Sequence, residues 1–284
     1  MEIKFYQTPG EFLEENAGFL RDFEVHAQLN FGNASAHKDE PCRPDLLFGR
    51  CEENGQGVLL FGNTLPWCLC LNSVPGDPAA LSAAVLLAER LQAEKIPLHG
   101  VMGSRELCGA FTFAYGGRFT LHTAMDIMML TELTEPPVVS GTVRKAVPGD
   151  LETVTGWACA FTKEVLREEP AREALRQEFS DMIAEQGLYV LEGKDGTLLS
   201  MASTAHARQL PHGCGVSWVY TPPEHRGCKY CQNTVAALCR EQMERGAQFI
   251  SLFVNKANPI SNRVYQKLGF RAVVDSYDFR LAQE

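Results

Sequence analysis

The chain has 284 residues, 45% of them hydrophobic, and a formal net charge of −9 at pH 7. This length allows one large domain or two modest ones, and the apolar fraction is sufficient for a buried core. The acidic balance and the lack of a basic run argue against nucleic acid or an anionic membrane as the partner.

Neither the N-terminus nor the cysteine content is typical of an exported protein. Residues 1–16, MEIKFYQTPGEFLEEN, carry charges where a signal peptide would have its apolar centre. The longest apolar runs, such as residues 83–88, are too short to span a bilayer. Ten cysteines without such a signal indicate reduced thiols. We therefore expect a cytoplasmic protein without disulfides.

Two close cysteine pairs, Cys68 with Cys70 and Cys228 with Cys231, raise the question of a zinc or redox site. A zinc site needs further ligands, and no second CxxC or HxxxH follows at a suitable spacing. A redox role stays open because a thiol at a helix N-terminus has a lowered pKa. The sequence favours cysteines that fill small-residue positions, so we expect no metal.

The first half of the chain alternates strands and helices after residue 56. Apolar and β-branched runs predict the strands, and Asp77 and Ser104 are suitable N-caps for the helices. The predicted elements are strands 57–62 and 67–73, a helix 78–94, a strand 98–102, a helix 104–115 and a strand 118–130. Residues 132–141, with two adjacent prolines, predict an extended linker.

The second half ends in the same order of elements. The pattern predicts a strand at 142–150, helices 151–167 and 170–185, strands 188–192, 198–208 and 215–221, a helix 232–245, a strand 249–255, a helix 259–268 and a strand 270–281. Both halves therefore end strand, strand, helix, strand, helix, strand. This repeat predicts an α/β protein of two related domains, 1–139 and 140–284, with a mixed sheet.

Two segments of the second half carry chemical information. In VYTPPEHRGCKYC, at 219–231, a strand passes through two prolines into a helix that begins with an Arg-Gly loop. A helix N-terminus offers unpaired N–H groups and the positive end of the dipole, where proteins hold a pyrophosphate. The second segment, NPISNRVYQKLGF, follows at 258–270. Without the second segment, the first would read as an ordinary strand–turn–helix connection.

The two segments, in this order, resemble the acetyl-CoA-binding motifs of the GNAT superfamily of N-acetyltransferases. The resemblance covers 140–284 and places Arg226 at the start of a phosphate loop of the form Gln/Arg-x-x-Gly-x-Gly/Ala. Gly227 keeps the turn accessible, but Lys229 and Cys231 stand where the family has small residues. Lys229 either crowds the approach of the backbone to a phosphate or adds a contact of its own.

The resemblance also implies roles for individual residues. Backbone N–H groups of Val219, Tyr220 and Thr221 would bind the pantetheine arm of acetyl-CoA and polarise the thioester. Asn258 would contact the cofactor arm, and Tyr265 would protonate the departing thiolate. The pyrophosphate would lie on the loop formed by Arg226, Gly227, Cys228, Lys229, Tyr230 and Cys231.

Each of these roles has a structural alternative, and the general base cannot be read from the sequence. Tyr265 could be a core aromatic residue with a satisfied hydroxyl, and Asn258 could be only an N-cap. An ordered water could act as the base. The side chains considered for that role are His206, His212, His225, Glu164 and Glu168.

The first half lacks this chemistry. At 74–77 it has Val-Pro-Gly-Asp, with an acid in place of the arginine, and it offers Thr112 or Phe113 where the second half has Tyr265. An acid beside a phosphate site is repulsive. The resemblance therefore implies a tandem protein with a degenerate N-terminal GNAT-like domain, which serves packing, the walls of the substrate pocket or formation of a homodimer.

The resemblance implies an acetyl-CoA-dependent N-acetyltransferase that acts on a primary amine of a small-molecule or amino-acid-like acceptor. The alternative is a non-catalytic CoA-binding or interaction protein on the same fold, because Lys229 and Cys231 depart from the loop pattern. The fold alone does not decide between them, since function lies in the site.

Overall fold

The structure is a computed structural model that describes residues 1–282, apart from the side chains of residues 206–209. In chain order its elements are β1 (Glu2–Phe5), α1 (Pro9–Glu15), α2 (Ala17–Asp22), α3 (Glu24–Ala36), β2 (Leu46–Glu53), β3 (Gln56–Thr64), β4 (Leu69–Asn72), α4 (Ala79–Ala93), β5 (Gly100–Gly103), α5 (Arg105–Tyr115), β6 (Phe119–Leu130), β7 (Thr142–Lys145), α6 (Leu151–Phe161), α7 (Arg172–Ala184), β8 (Leu188–Glu192), β9 (Leu198–Gln209), β10 (Gly213–Tyr220), α8 (Tyr230–Glu244), β11 (Phe249–Asn255), α9 (Pro259–Leu268) and β12 (Arg271–Leu281). No helix within residues 1–282 is long and apolar enough to cross a bilayer.

The chain divides into two compact units. The first contains Met1–Ile127, Val254–Asn258 and the C-terminal segment that begins at Ala272, and the second contains Met128–Phe253 and Pro259–Arg271. Compactness thus places most of β12 with the first unit. The assignment of residues 1–139 and 140–284 to two related domains stays a prediction.

The first unit is built on a mixed sheet with the strand order β1-β2-β3-β4-β5-β12-β6. Strands β1 to β4 are antiparallel, β4 and β5 are parallel, and β12 is antiparallel to β5. Gly100 lies opposite Arg280, and a Cβ at Gly100 would lie 2.2 Å from the carbonyl oxygen of Phe279. The absence of a side chain at this position therefore allows β12 to pair with β5.

The second unit has the strand order β11-β10-β9-β8-β7, in which only β10 and β11 are parallel among its described pairs. Side chains of β9 alternate between the two faces of this sheet. Met201 packs in a buried cluster with residues of α6 and α7, whereas the Ser200 hydroxyl lies 2.6 Å from that of Thr234 on α8. Helices α6 and α7 therefore cover one face and α8 covers the other.

The predicted repeat is present in both halves. The order strand, strand, helix, strand, helix, strand runs through β3 to β6 in the first half and through β9 to β12 in the second. The predicted α/β fold with a mixed sheet is confirmed. The predicted helix at 151–167 is wrong at its end, because α6 stops at Phe161. A π-helical turn, Thr162–Leu166, follows it, and the left-handed conformation of Arg167 ends that turn.

Candidate functional site

Strands β10 and β11 begin as neighbours and then part. Their register joins Gly213 to Phe249 and Gly215 to Ser251, and within the described residues it extends no further. A register shift interrupts the pairing of β10 with β9 between Ser217 and Tyr220, and Trp218 has a φ of 46°. A β-bulge of this kind bends the strand and leaves backbone groups unpaired. The predicted cofactor-arm residues Val219, Tyr220 and Thr221 lie at this parted end.

The loop after β10 leads directly to the N-terminus of α8. It contains a 3₁₀ turn, Pro223–His225, and a positive φ of 80° at Gly227. Helix α8 has no side-chain cap, and the backbone N–H groups of residues 227–232 have no hydrogen-bond partner in the described part of the chain. Such donors, together with the helix dipole, form an anion site. The predicted pyrophosphate residues Arg226 to Cys231 therefore lie together on this loop and helix start.

Lys229 adopts a backbone conformation that favours glycine. Its φ is 64° and its ψ is 13°, directly before the first residue of α8. This left-handed region costs a residue with a Cβ about 1–2 kcal/mol relative to the right-handed form. A glycine at this position of the loop would avoid that cost, which explains the family's preference in physical terms.

Arg226 is held by the protein itself. Its Nε donates to the carbonyl oxygen of Thr221 at 2.9 Å, and its two terminal nitrogens each lie 2.8 Å from a carboxylate oxygen of Glu164. The guanidinium carbon also lies 5.7 Å from the centroid of the Tyr220 ring. These contacts occupy the Arg226 guanidinium. The groups of the loop that remain to bind an anion are therefore its backbone N–H groups.

Glu164 is a poor general base in this arrangement. The hydrogen bond from Arg226 holds the pKa of its carboxyl below the usual range. Burial and the Glu164 charge in turn raise the pKa of Tyr220. A carboxylate with a lowered pKa binds a proton weakly. Glu164 is therefore suited to fixing the loop and attracting a cation.

The other candidate bases are distributed along the second unit. His212 directly precedes β10 and so lies roughly 20 Å from its parted end, given the rise of a strand per residue. His225 lies in the 3₁₀ turn, with its ring centroid 6.4 Å from that of Tyr230. Glu168 is exposed, and the side chain of His206 is outside the described residues. Only His225 is part of the loop.

Tyr265 lies on α9 and is 7% exposed. Burial raises the pKa of its phenol well above the usual value, and the nearby thiols of Cys231 and Cys239 on α8 add to the effect. Its ring centroid is 5.9 Å from that of Phe270. Helix α9 packs against α8, the helix whose start carries the predicted phosphate loop.

Two more residues of this motif, Gly269 and Asn258, lie at the two ends of α9. Gly269 ends α9 with a φ of 103°, and a Cβ there would lie 2.7 Å from the carbonyl oxygen of Glu132. Asn258 directly precedes α9, and its N–H donates to the carbonyl oxygen of Asn255 at 2.9 Å. Asn258 belongs to the first compact unit. Its predicted contact with the cofactor stays a prediction.

The cysteines of the loop differ in environment. Cys228 is exposed, whereas burial raises the pKa of the Cys231 thiol to about 12. A thiol with that pKa is not a thiolate at neutral pH, which disfavours the redox interpretation of this pair. Within the described residues, no group of three or more His, Cys, Asp or Glu side chains could hold a metal ion.

Two features of the site are absent from the sequence interpretation. Arg226 and Glu164 are 62 residues apart, so no local pattern indicates their ion pair. The hydroxyl of Thr221 is buried and has no hydrogen-bond partner in the described structure. An unpaired buried hydroxyl costs about 1–3 kcal/mol. This orphaned group at the end of β10, the parted strands and the uncapped helix all fit the arm and pyrophosphate of acetyl-CoA.

Comparison with known proteins agrees with this geometry. Residues 151–270 match the model of the acetyltransferase (GNAT) family. No curated protein matches the chain.

Solved structures resemble the chain over nearly its whole length. A GNAT-family acetyltransferase from Colwellia psychrerythraea has a TM-score of 0.62 and 13% identity, with 99% of this chain and 100% of that chain covered. A GCN5-related N-acetyltransferase from Sphaerobacter thermophilus has a TM-score of 0.63 and 12% identity, with 98% of this chain and 94% of that chain covered. A tandem GNAT protein from the clavulanic acid biosynthesis pathway has a TM-score of 0.55 and 16% identity, with 99% of this chain and 98% of that chain covered. At these identities the likeness shows the fold, which is that of tandem GNAT proteins. The second half of the chain, over residues 151–270, is a GNAT acetyltransferase domain.

Proposed function

We propose that the second unit is an acetyl-CoA-dependent N-acetyltransferase whose acceptor is a primary amine of a small molecule. One observation carries the proposal: the parted end of β10 runs through a positive-φ loop into an uncapped helix, and helix α9, which carries Tyr265, packs against that helix. This arrangement offers backbone donors for a thioester arm, an anion site for a pyrophosphate and a phenol on the helix packed against α8.

When bound, acetyl-CoA supplies an activated acetyl group. The N–H groups of Val219, Tyr220 and Thr221 would bind the pantetheine arm and polarise the thioester carbonyl. The loop from Arg226 to Cys231 would hold the pyrophosphate against the α8 dipole. The amine nitrogen would form a bond to the carbonyl carbon as the carbon–sulfur bond breaks.

Two proton transfers complete this reaction. The amine gives up a proton to a base, for which we propose an ordered water, because Glu164 has a lowered pKa. The sulfur accepts a hydrogen bond and then the proton from Tyr265. The phenol is protonated at neutral pH, and because burial raises its pKa it is a weaker acid than a free tyrosine, so the hydrogen bond to the developing thiolate must assist the transfer.

A binding measurement followed by turnover tests the proposal. At about a hundredfold excess over its Kd, acetyl-CoA should stabilise the protein by about 2.7 kcal/mol, measured as a rise in melting temperature. A panel of amines should then release free thiol from acetyl-CoA. Absence of binding at millimolar acetyl-CoA in calorimetry would overturn the proposal.

A non-catalytic CoA-binding protein is the second candidate, motivated by the strained Lys229 in the phosphate loop. It predicts stabilisation by acetyl-CoA without thiol release for any amine. The cytoplasmic location and a homodimer, both expected from the sequence, stay predictions.

A further inference from the structure

Five aromatic side chains form a continuous cluster beside the parted end of β10. The ring centroid of Trp218 lies 5.2 Å from those of Phe161 and Phe179, and the centroid of Tyr220 lies 6.4 Å from those of Phe161 and Trp157. Phe179 and Tyr220 are buried, whereas Trp157, Phe161 and Trp218 are only half-buried. All three half-buried side chains also pack against the buried core of the second unit, so the cluster has a closed floor and a rim that is exposed in part.

The position of this aromatic rim, defined as Trp157, Phe161 and Trp218, connects it to the proposed reaction. Trp218 and Tyr220 flank Val219, one of the residues whose backbone would hold the thioester. Phe161 ends α6 and directly precedes the π-helical turn that carries Glu164. Single π turns inside helices are frequent at functional sites. A molecule bound on the rim would thus lie next to the acetyl group.

The charges around the rim favour a molecule with one cationic group. The Arg226 guanidinium balances the charge of Glu164 with two contacts of 2.8 Å and holds the pKa of that carboxyl below its usual range. The indole nitrogen of Trp218 donates to Glu178 at 3.0 Å, which fixes the orientation of the ring. Because the charge of Glu164 is already balanced, contact with the rings should contribute more to binding than attraction of several ammonium groups.

We propose that the acceptor is a primary amine carried on an aromatic body, and that its ring binds to Trp157, Phe161 and Trp218 while its amino group reaches the end of β10. This inference rests on the proposed acetyltransferase function and names its substrate class. It predicts low activity towards polyamines and small hydroxylated amines.

The first experiment compares amines in the full-length protein. With acetyl-CoA saturating, kcat/KM for 2-phenylethylamine should exceed that for spermidine and for ethanolamine by roughly tenfold or more. Equal values, or a preference for spermidine or ethanolamine, would overturn the inference and leave the acetyltransferase function intact. Stabilisation by acetyl-CoA without thiol release for any amine would remove the proposed function and this inference together.

A binding readout that does not depend on turnover uses the tryptophans. The chain has three, and Trp67 lies in the first unit with 66% exposure. In a Trp67→Phe variant, fluorescence reports only on Trp157 and Trp218. We expect a saturable change with 2-phenylethylamine in the presence of CoA and none with spermidine. A response to both amines, or to neither, would contradict the aromatic site.

Substitution of the rim separates acceptor binding from cofactor binding. Phe161→Ala should raise KM for 2-phenylethylamine by roughly tenfold and leave KM for acetyl-CoA within about twofold. Trp157→Leu gives a second test at the rim if Phe161→Ala lowers the melting temperature. The matched control is Phe113→Ala, because Phe113 is 90% exposed on α5 of the first unit. Equal effects of Phe161→Ala and Phe113→Ala would overturn the assignment.

Discussion

The two units contain the same strand-to-helix connection but treat the start of the helix differently. In the first unit, the carboxylate of Asp77 accepts the N–H of Ala79, the first residue of α4, at 2.9 Å, and its carbonyl accepts that of Ala80 at 3.2 Å. In the second unit, α8 begins after Lys229 without a side-chain cap. One helix start thus carries its own negative group, and the other is open to an anion.

The strands that lead into these helices differ in how far they run beyond their last pair with the neighbouring parallel strand. Strand β4 ends at Asn72, two residues after its last pair with β5, and the Asn72 side chain is tied to Asn30 at 2.8 Å and to the His26 carbonyl at 2.7 Å. Strand β10 continues for five residues beyond its last pair with β11, from Val216 to Tyr220. We therefore expect a cofactor site in the second copy only, because the two copies differ in where the strand ends and in whether the helix is capped.

The largest expected effect comes from Tyr265, which has no counterpart in the first half. Tyr265→Phe removes only the oxygen, so the packing against Phe270 and the affinity for acetyl-CoA should be retained. Turnover should fall by roughly 10² to 10⁴, the usual contribution of a positioned acid.

The same Tyr265→Phe variant distinguishes a purely structural tyrosine. A core residue with a satisfied hydroxyl would lose about 1 kcal/mol of stability and little rate. Measurement of the melting temperature and of turnover on one preparation separates the two cases. Unchanged turnover on an amine that is a substrate would remove Tyr265 from the mechanism.

A second prediction concerns a substitution that would give α8 the negative group that α4 has at its start. Cys228 is two residues before the first residue of α8, as Asp77 is before that of α4, and it is exposed. Cys228→Asp should place a carboxylate at the N–H groups of α8, where it would repel the pyrophosphate. We expect the Kd for acetyl-CoA to rise by about tenfold or more, equal to about 1.4 kcal/mol.

The control for Cys228→Asp is Cys228→Asn, which can cap the helix without the charge. Both variants should keep or slightly raise the melting temperature, since a cap stabilises a helix by up to about 1 kcal/mol. Calorimetry with acetyl-CoA on the three proteins checks the effect. Equal affinity in all three would show that the anion does not bind at this helix start.

Local patterns predicted much of this second unit and little of the N-terminal part of the first. Strand β11 and helix α9 have the predicted bounds, because their apolar periodicity and flanking residues are clear. Helices α1 to α3 were not predicted. In α3 the buried positions include Gln28 and Asn30, whose amides bond to the Val25 carbonyl and to Asn72, so an apolar stripe is missing.

The partners of distant segments are the other gap. Strand β12 was predicted by its alternation, but its position beside β5 depends on pairs such as Gly103 with Tyr277. The ion pair of Glu164 with Arg226 likewise joins a helix end to a loop far along the chain. Such contacts follow from the packing of the whole unit, whereas sequence periodicity reports only which residues are buried.

A third and smaller effect concerns the backbone of the loop. Lys229→Gly should relieve the left-handed strain at φ 64°. Glycine loses more chain entropy on folding than other residues, which offsets part of the gain, so we expect a stabilisation of up to about 1 kcal/mol in urea unfolding. Lys229→Ala removes the ammonium and keeps the strain.

The two Lys229 variants also decide its role towards the cofactor. If the side chain crowds the loop, Lys229→Gly tightens acetyl-CoA binding. If the ammonium contacts a phosphate, both variants weaken it. Equal Kd values in the three proteins would mean that the side chain points to solvent, and a destabilised Lys229→Gly would contradict the strain argument.

The smallest expected effect is on stability, through the ion pair that only the second unit has at this connection. Arg226 holds the pKa of Glu164 below its value in the unfolded chain. The stabilisation is therefore present above the unfolded pKa, near 4.3, and is lost as the pH falls through the lower folded value. Because the two side chains are 44% and 45% exposed, the contribution should be below about 1 kcal/mol at neutral pH. In urea unfolding, Glu164→Gln should lose this increment at pH 7 and match the unsubstituted protein once the carboxyl is protonated.

The same Glu164→Gln variant tests the proposed base. Turnover at neutral pH should fall by less than about tenfold, because Glu164 is not the base. A loss of roughly 10² or more, with a pH profile shifted to match, would restore Glu164 as the general base and replace the proposed water.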